Sequence, residues 1–235
     1  MVIVIVGIIL AVALPAMAKL GGGNNVKQGG NMVNAYLASA RAAAMAAKRH
    51  VGVVFYEQSG NCTTIWSKTQ TAVQLVMEDG DQNQYSQPPY SMPSGYTVFV
   101  PYSAVQYLPS GVRVATLAGT GSLAVGTAEN STVSKTRMVV FNGDGQMEVL
   151  AGLACPYSAA AALDSPTRIV FDWNLITAAA APPAASTAVS SPGVMLFDGL
   201  MYLQQTFADD TARAAWIQKN ADVVLVNAYT GNVIR

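Results

Sequence analysis

The chain has 235 residues, 13 basic and 13 acidic, so it carries no net charge, and only 11% of its residues are charged. That is well below the usual quarter. It leaves no basic stripe to neutralise a phosphate backbone, which argues against nucleic acid as a partner. The length suits one domain of ordinary size, or one domain plus an anchor.

The first eighteen residues, MVIVIVGIILAVALPAMA, contain no charge, and Lys19 is the first ionisable side chain. A secretory signal has a basic start, an apolar run of roughly 7–15 residues and a small-x-small cleavage site. Ala16-Met17-Ala18 fits such a site, but nothing basic precedes Val2. A membrane-spanning helix needs about 20 apolar residues, slightly more than this run supplies. Pro15 removes a backbone hydrogen bond in mid-helix, which a simple anchor does not need. Gly21 to Gly23 and Gly29-Gly30 then bracket what reads as a loose polar spacer, since glycine weakens a helix through backbone entropy. Asn31 to Arg49 is a strong helix: alanine dominates, and Met32, Val33, Tyr36, Leu37, Ala40, Ala44 and Ala47 repeat at the helical period. Arg41 lies on the polar side, and Lys48 and Arg49 suit a helix C-terminus.

The run Val2-Ile3-Val4-Ile5-Val6-Gly7-Ile8-Ile9-Leu10-Ala11-Val12-Ala13-Leu14-Pro15 resembles the apolar helix of the type IV pilin-like proteins. The likeness is to the minor pseudopilins of type II secretion (GspH/FimT-like) in particular, whose helix ends in a pattern such as VIxIIGILxAxALP. The stretch NAYLASARAAAMAAKRHVGVVF is similar to their continuation, a helix entering a first strand through a basic turn. The resemblance covers about the first 57 residues. Family precursors also carry a basic leader, a Gly at the peptidase site, an aromatic residue and a nearby Glu. None precedes Val2, so the expectation is a chain that starts at an internal Met. The resemblance implies a membrane and assembly helix over 1–20, with Val2, Ile5, Gly7, Ile8, Leu10, Leu14 and Pro15 as its assembly residues. It further implies an amphipathic continuation over 21–50 and a β-rich ectodomain over 51–235.

From Val51 the period becomes that of strands. Val51 to Tyr56, Cys62 to Trp66, Thr71 to Met77, Tyr96 to Val100 and Gly111 to Leu117 read as strands. Gln87 to Gly95, rich in Pro and Tyr, reads as loop. Arg137 to Phe141, the turn Asn142-Gly143-Asp144-Gly145, and Gln146 to Leu150 form the clearest hairpin. It resembles the family's FxxDG hairpin. Arg168 to Trp173 reads as a strand and Val194 to Leu203 as a long strand or a pair, while Ala178 to Gly193 is low-complexity loop. Asp209 or Asp210 can cap a short helix over Thr211 to Lys219 with Trp216 as its anchor. Asp222 to Asn227, a turn at Thr230-Gly231, and Val233 to Arg235 resemble the family's closing VxNxxTGxxR hairpin. A helix followed by strands predicts an α+β fold, a long N-terminal helix packed on an antiparallel sheet.

Cys62 and Cys155, the two cysteines, lie in no metal-type spacing; they form a disulfide in an oxidising compartment or remain two buried thiols. His50, the single histidine, sits in the helix-to-strand turn as a surface or capping residue, and any Ser/His or Cys/His nucleophile would have to use it. No HExxH, CxxC or P-loop occurs. Glu78-Asp79-Gly80-Asp81 and Asn142 to Asp144 offer calcium-type oxygens without EF-hand spacing, and turn chemistry accounts for them. The expectation is therefore a subunit without catalytic, cofactor or metal sites. It would be held in the inner membrane by one span, with a periplasmic or extracellular ectodomain, and would assemble with other pilins or pseudopilins and contact secreted cargo. The competing readings are a secreted or periplasmic binding protein cleaved after Ala18, and a one-span anchored enzyme.

Overall fold

The computed structural model describes the backbone of residues 2–57, 71–80, 97–117, 123–124, 136–150, 153–154, 157–158, 170–171 and 187–234. Side chains are described for residues 24–55, 71–80, 97–115, 138–150, 190–209 and 211–234. Cys62, Cys155 and the expected strand Cys62 to Trp66 lie outside the described residues.

Helix α1 (Val2–Ala47) is a single 46-residue helix, which at 1.5 Å per residue is about 70 Å long. The spacer expected between Gly21 and Gly30 is therefore helical. Packing supplies the reason: Gly29 and Gly30 are buried, and a Cβ on Gly29 would stand 3.1 Å from Val112 Cγ1 and 3.4 Å from Leu196 Cδ2. Here glycine lets helix and sheet approach closely, and tertiary contact overrides its weak helix propensity. The buried face runs on through Val33, Leu37, Ala40 and Ala44, all fully buried, at the expected three- and four-residue steps. Ala47, assigned to that face from the sequence, is exposed because the helix ends there. Lys48 follows in the left-handed conformation at φ 54°, the usual way to leave a helix.

The first sheet holds β1 (Val51–Glu57), β2 (Thr71–Glu78), β3 (Thr97–Pro101), β4 (Gln106–Tyr107), β7 (Thr136–Phe141), β8 (Met147–Glu148), β9 (Leu153–Ala154) and β12 (Thr187–Ser190). Its ladder passes from β1 through β2, β3, β9, β12 and β7, and returns to β1. The strands thus form a ring. β1 is its centre: Val53 pairs with Leu75 on one side and with Val139 on the other, both antiparallel. Two pairings are parallel, β12 with β7 and β3 with β9, where the sequence predicts only antiparallel ones. β12 also lies in the stretch read as low-complexity loop. Its backbone completes the ring, a requirement set by distant strands that local composition does not carry.

Strand alternation sorts the two faces. Val51, Val53, Phe55, Val73, Leu75, Val139 and Phe141 join the core under α1, whereas Val54, Ala72, Val76, Phe99, Met138 and Val140 form a second core inside the ring. Gly52 belongs to the inner set, and the Met138 side chain occupies the space where its Cβ would be, with Cε at 2.8 Å.

The second sheet runs β15 (Val233–Ile234), β14 (Asp222–Val226), β13 (Gly193–Asp198), β5 (Val112–Leu117) and β6 (Leu123–Ala124), antiparallel throughout. One face turns Val112, Val114, Val194, Leu196, Val224 and Val226 toward α1, so the helix is packed against both sheets. The other face carries Ala115, Met195 and Phe197 beneath two short helices, α2 (Gly199–Leu203) and α3 (Asp210–Asn220). Phe197, Tyr202, Phe207 and Trp216 pack there with ring centroids 5.2 to 6.3 Å apart, and Ile217 is fully buried. The segment Val194 to Leu203, read as strand, turns helical at Gly199 because the Asp198 carboxylate accepts from Leu200 and Met201 N–H. Asp209 caps α3 in the same way through Ala212 N–H. β10 (Tyr157–Ser158) and β11 (Val170–Phe171) pair separately, and β11 is all that is described of the strand expected from Arg168 to Trp173. The architecture is α+β with largely antiparallel sheets against a helix.

Candidate functional site

A group of polar side chains stands where α1 ends and β1 begins. His50 precedes β1 by one residue and lies opposite Glu78, whose N–H donates to the His50 carbonyl at 2.8 Å. In the same alternation Glu148 on β8 pairs with Val140 of the inner set. His50, Glu78 and Glu148 therefore share the inner face of the ring and lie across its end, a polar mouth over the core of Val54, Val76, Met138 and Val140.

Both imidazole nitrogens meet carboxylates. Nδ1 lies 2.6 Å from Glu78 Oε2 and Nε2 3.1 Å from Glu148 Oε2, while the His50 backbone N–H donates to the same Glu78 oxygen at 3.2 Å. A neutral imidazole has one donor and one acceptor, and an ionised carboxylate only accepts. Two carboxylate partners therefore call for the imidazolium form, in a charge-assisted pair of hydrogen bonds. Burial opposes the charged ring. The bonds to Glu78 and Glu148 and their negative charges outweigh it, and the His50 pKa lies above its ordinary 6.5.

A second clip stands beside the first. Arg41 on α1 donates through Nε to the Gly145 carbonyl at 3.2 Å and through Nη1 to Asn232 Oδ1 at 2.6 Å. It thereby joins the β7–β8 turn to the C-terminal turn. Gly231 sits between them at φ 64°, where a Cβ would collide with the Gly145 carbonyl oxygen. Met147 N–H donates to the Ala228 carbonyl at 3.2 Å, a further tie between the two turns. Asn142 closes its own turn by accepting from Asp144 and Gln146 N–H, so its oxygen is engaged in turn chemistry. Among the described residues no group of three or more His, Cys, Asp or Glu could hold a metal ion.

The assembly residues expected from the sequence, Val2, Ile5, Gly7, Ile8, Leu10, Leu14 and Pro15, all fall within α1, but their side chains lie outside the described residues. Among the described residues no helix is long and apolar enough to cross a membrane. From Asn31 to Ala46 the face of α1 turned away from the sheets exposes Ala35, Ala38, Ser39, Ala42 and Ala46. His50, placed in a basic turn as a surface or capping residue, is instead a half-buried bridge between two strands. Its partners were legible only through register: once Val51 pairs with Met77, residue 50 must lie opposite residue 78. No family model, no curated protein and no solved structure matches the chain.

Proposed function

We propose that this chain is a membrane-anchored, pilin-like structural subunit, a minor pilin or pseudopilin. It is held in the inner membrane by the apolar start of α1 and assembled through that segment into a type II secretion pseudopilus or a type IV pilus. The observation that carries this reading is α1 itself. One continuous helix begins in the uncharged run and ends packed against both sheets. An apolar helix stored in lipid can be buried again among copies of itself at little hydrophobic cost, because both settings exclude water. The exposed alanines of its second half leave room for neighbouring helices to approach closely.

In this reading residues 1–20 are the assembly helix, 21–50 its amphipathic continuation, and 51–235 the outward-facing ectodomain, which contacts other subunits or secreted cargo. The protein acts by binding and initiation, without catalysis or a cofactor. Mass spectrometry of the N-terminus of the protein recovered with membranes tests it. An intact apolar segment is the expected result. A mature chain beginning at Lys19 would overturn the reading and establish a cleaved, secreted or periplasmic binding protein.

A further inference from the structure

We propose that His50, Glu78 and Glu148 form a proton-operated clasp, closed when the imidazole is charged, that ties the end of α1 to the β7–β8 hairpin and through it to the C-terminal turn. The geometry requires a proton on each ring nitrogen, since each faces an acceptor at 2.6 or 3.1 Å. When the imidazolium gives one proton to water, only one of these bonds can survive. Glu78 is the partner that keeps it. Its bond is the shorter, its oxygen also accepts the His50 backbone N–H, and its side chain is 23% exposed against 42% for Glu148. The Nε2 lone pair then faces Glu148 Oε2, and that carboxylate turns to water.

Release of Glu148 reaches beyond its own side chain because β8 is only Met147–Glu148. The adjoining Met147 N–H holds the Ala228 carbonyl, and the Glu148 carbonyl accepts from Ser190 Oγ at 3.4 Å. Among the described residues the other charges around His50 are Lys48 and Arg49 on its own segment, Asp79 beside Glu78, and Asp144 in the β7–β8 turn. Lys48 Nζ stands 3.9 Å from Asp144, and the Arg49 guanidinium lies against Gly80. The Lys48–Asp144 pair is exposed on both sides and screened by solvent. A histidine whose pKa is raised by folding stabilises the native state fully below its unfolded value, near 6.5, and that contribution fades as pH rises through the folded value. The clasp is thus closed in acid and opens toward alkaline pH.

His50 is the only histidine in the chain, so its ring nitrogens are unambiguous in spectra of the 15N-labelled full-length protein. Both should be protonated below pH 6.5, and above it Nε2 should lose its proton in one step while Nδ1 keeps its own. Across that step the Met147 amide should lose about fivefold of its exchange protection, corrected for intrinsic rate, while Val53 in the ring keeps its own. Glu148→Gln should move the His50 titration to lower pH and level the Met147 profile, and His50→Gln should abolish it. A His50 that titrates at or below 6.5 would overturn the clasp, as would a Met147 protection that is flat through the His50 titration in the unmutated chain. If His50→Gln fails to fold, Glu148→Gln alone decides.

Discussion

At Lys48 a single residue sets the angle between helix and ring. Its φ of 54° is a conformation that costs an L-residue of this kind about 1–2 kcal/mol and costs glycine nothing. Its side chain returns little. Nζ donates to the Gly143 carbonyl at 3.3 Å, and the ion pair with Asp144 is 3.9 Å long and exposed on both sides. Exposed pairs of this kind contribute roughly 0–1 kcal/mol. Lys48→Gly should therefore stabilise the protein by about 0.5–1 kcal/mol, read as a higher denaturant midpoint with an unchanged slope. Loss of stability would mean that the Lys48 contacts outweigh the backbone strain.

Single glycines show how much of this level was open to sequence reasoning. The positive φ at Gly145 and Gly231 follows from turn patterns readable in the chain. The burial of Gly29 does not, because it depends on Val112 and Leu196, residues far away in sequence.

At the scale of elements, the second half of α1 is stabilised chiefly by the face it buries, since propensity alone leaves a helix of that length marginal in water. Leu37 is the largest fully buried residue of that face and packs against both sheets. Leu37→Ala should cost about 2–5 kcal/mol, the sum of lost transfer energy and the cavity left behind. Ala42→Leu, on the exposed side, should leave stability within about 0.5 kcal/mol. Chemical denaturation separates the two, and equal effects would place the buried face elsewhere.

Strong periodic elements were legible. β1, β2, β3, β5, the β7–β8 hairpin, α3 and the closing β14–β15 hairpin fall where strand alternation, turn residues and caps predict them. Other features were not. The helical turn after Asp198 looks like strand because Leu200, Met201 and Tyr202 are apolar, and only the cap reveals it. β12 is too short to carry a period. The pairing of His50 with Glu78 and Glu148 is a consequence of register between strands well separated in the chain.

Across the whole molecule, one helix serves two sheets, and the first sheet closes on itself. Closure protects unevenly. β1 is paired on both edges over Val51 to Phe55, while β15 and β6 are the outer strands of the second sheet. Native-state hydrogen exchange should therefore find the amides of Val53 and Val54 among the slowest, opening only with global unfolding. Ile234 should exchange far faster through local fraying. Slow exchange at the second sheet's outer strands with fast exchange in β1 would contradict the ring as the stable unit.

The ring also imposes a timetable on synthesis. Its closing strand β12 emerges about 140 residues after β1 begins, which at ribosomal speed is roughly 7–30 s. Helix α1 needs only local bonds and can form in about a microsecond. For most of its making, then, the nascent chain has at its head a helix that forms quickly but is not yet held by the sheets, and an open row of strand edges behind it. Such edges invite pairing with other chains. The interval before Ser190 leaves the ribosome is the period in which this protein most needs a chaperone.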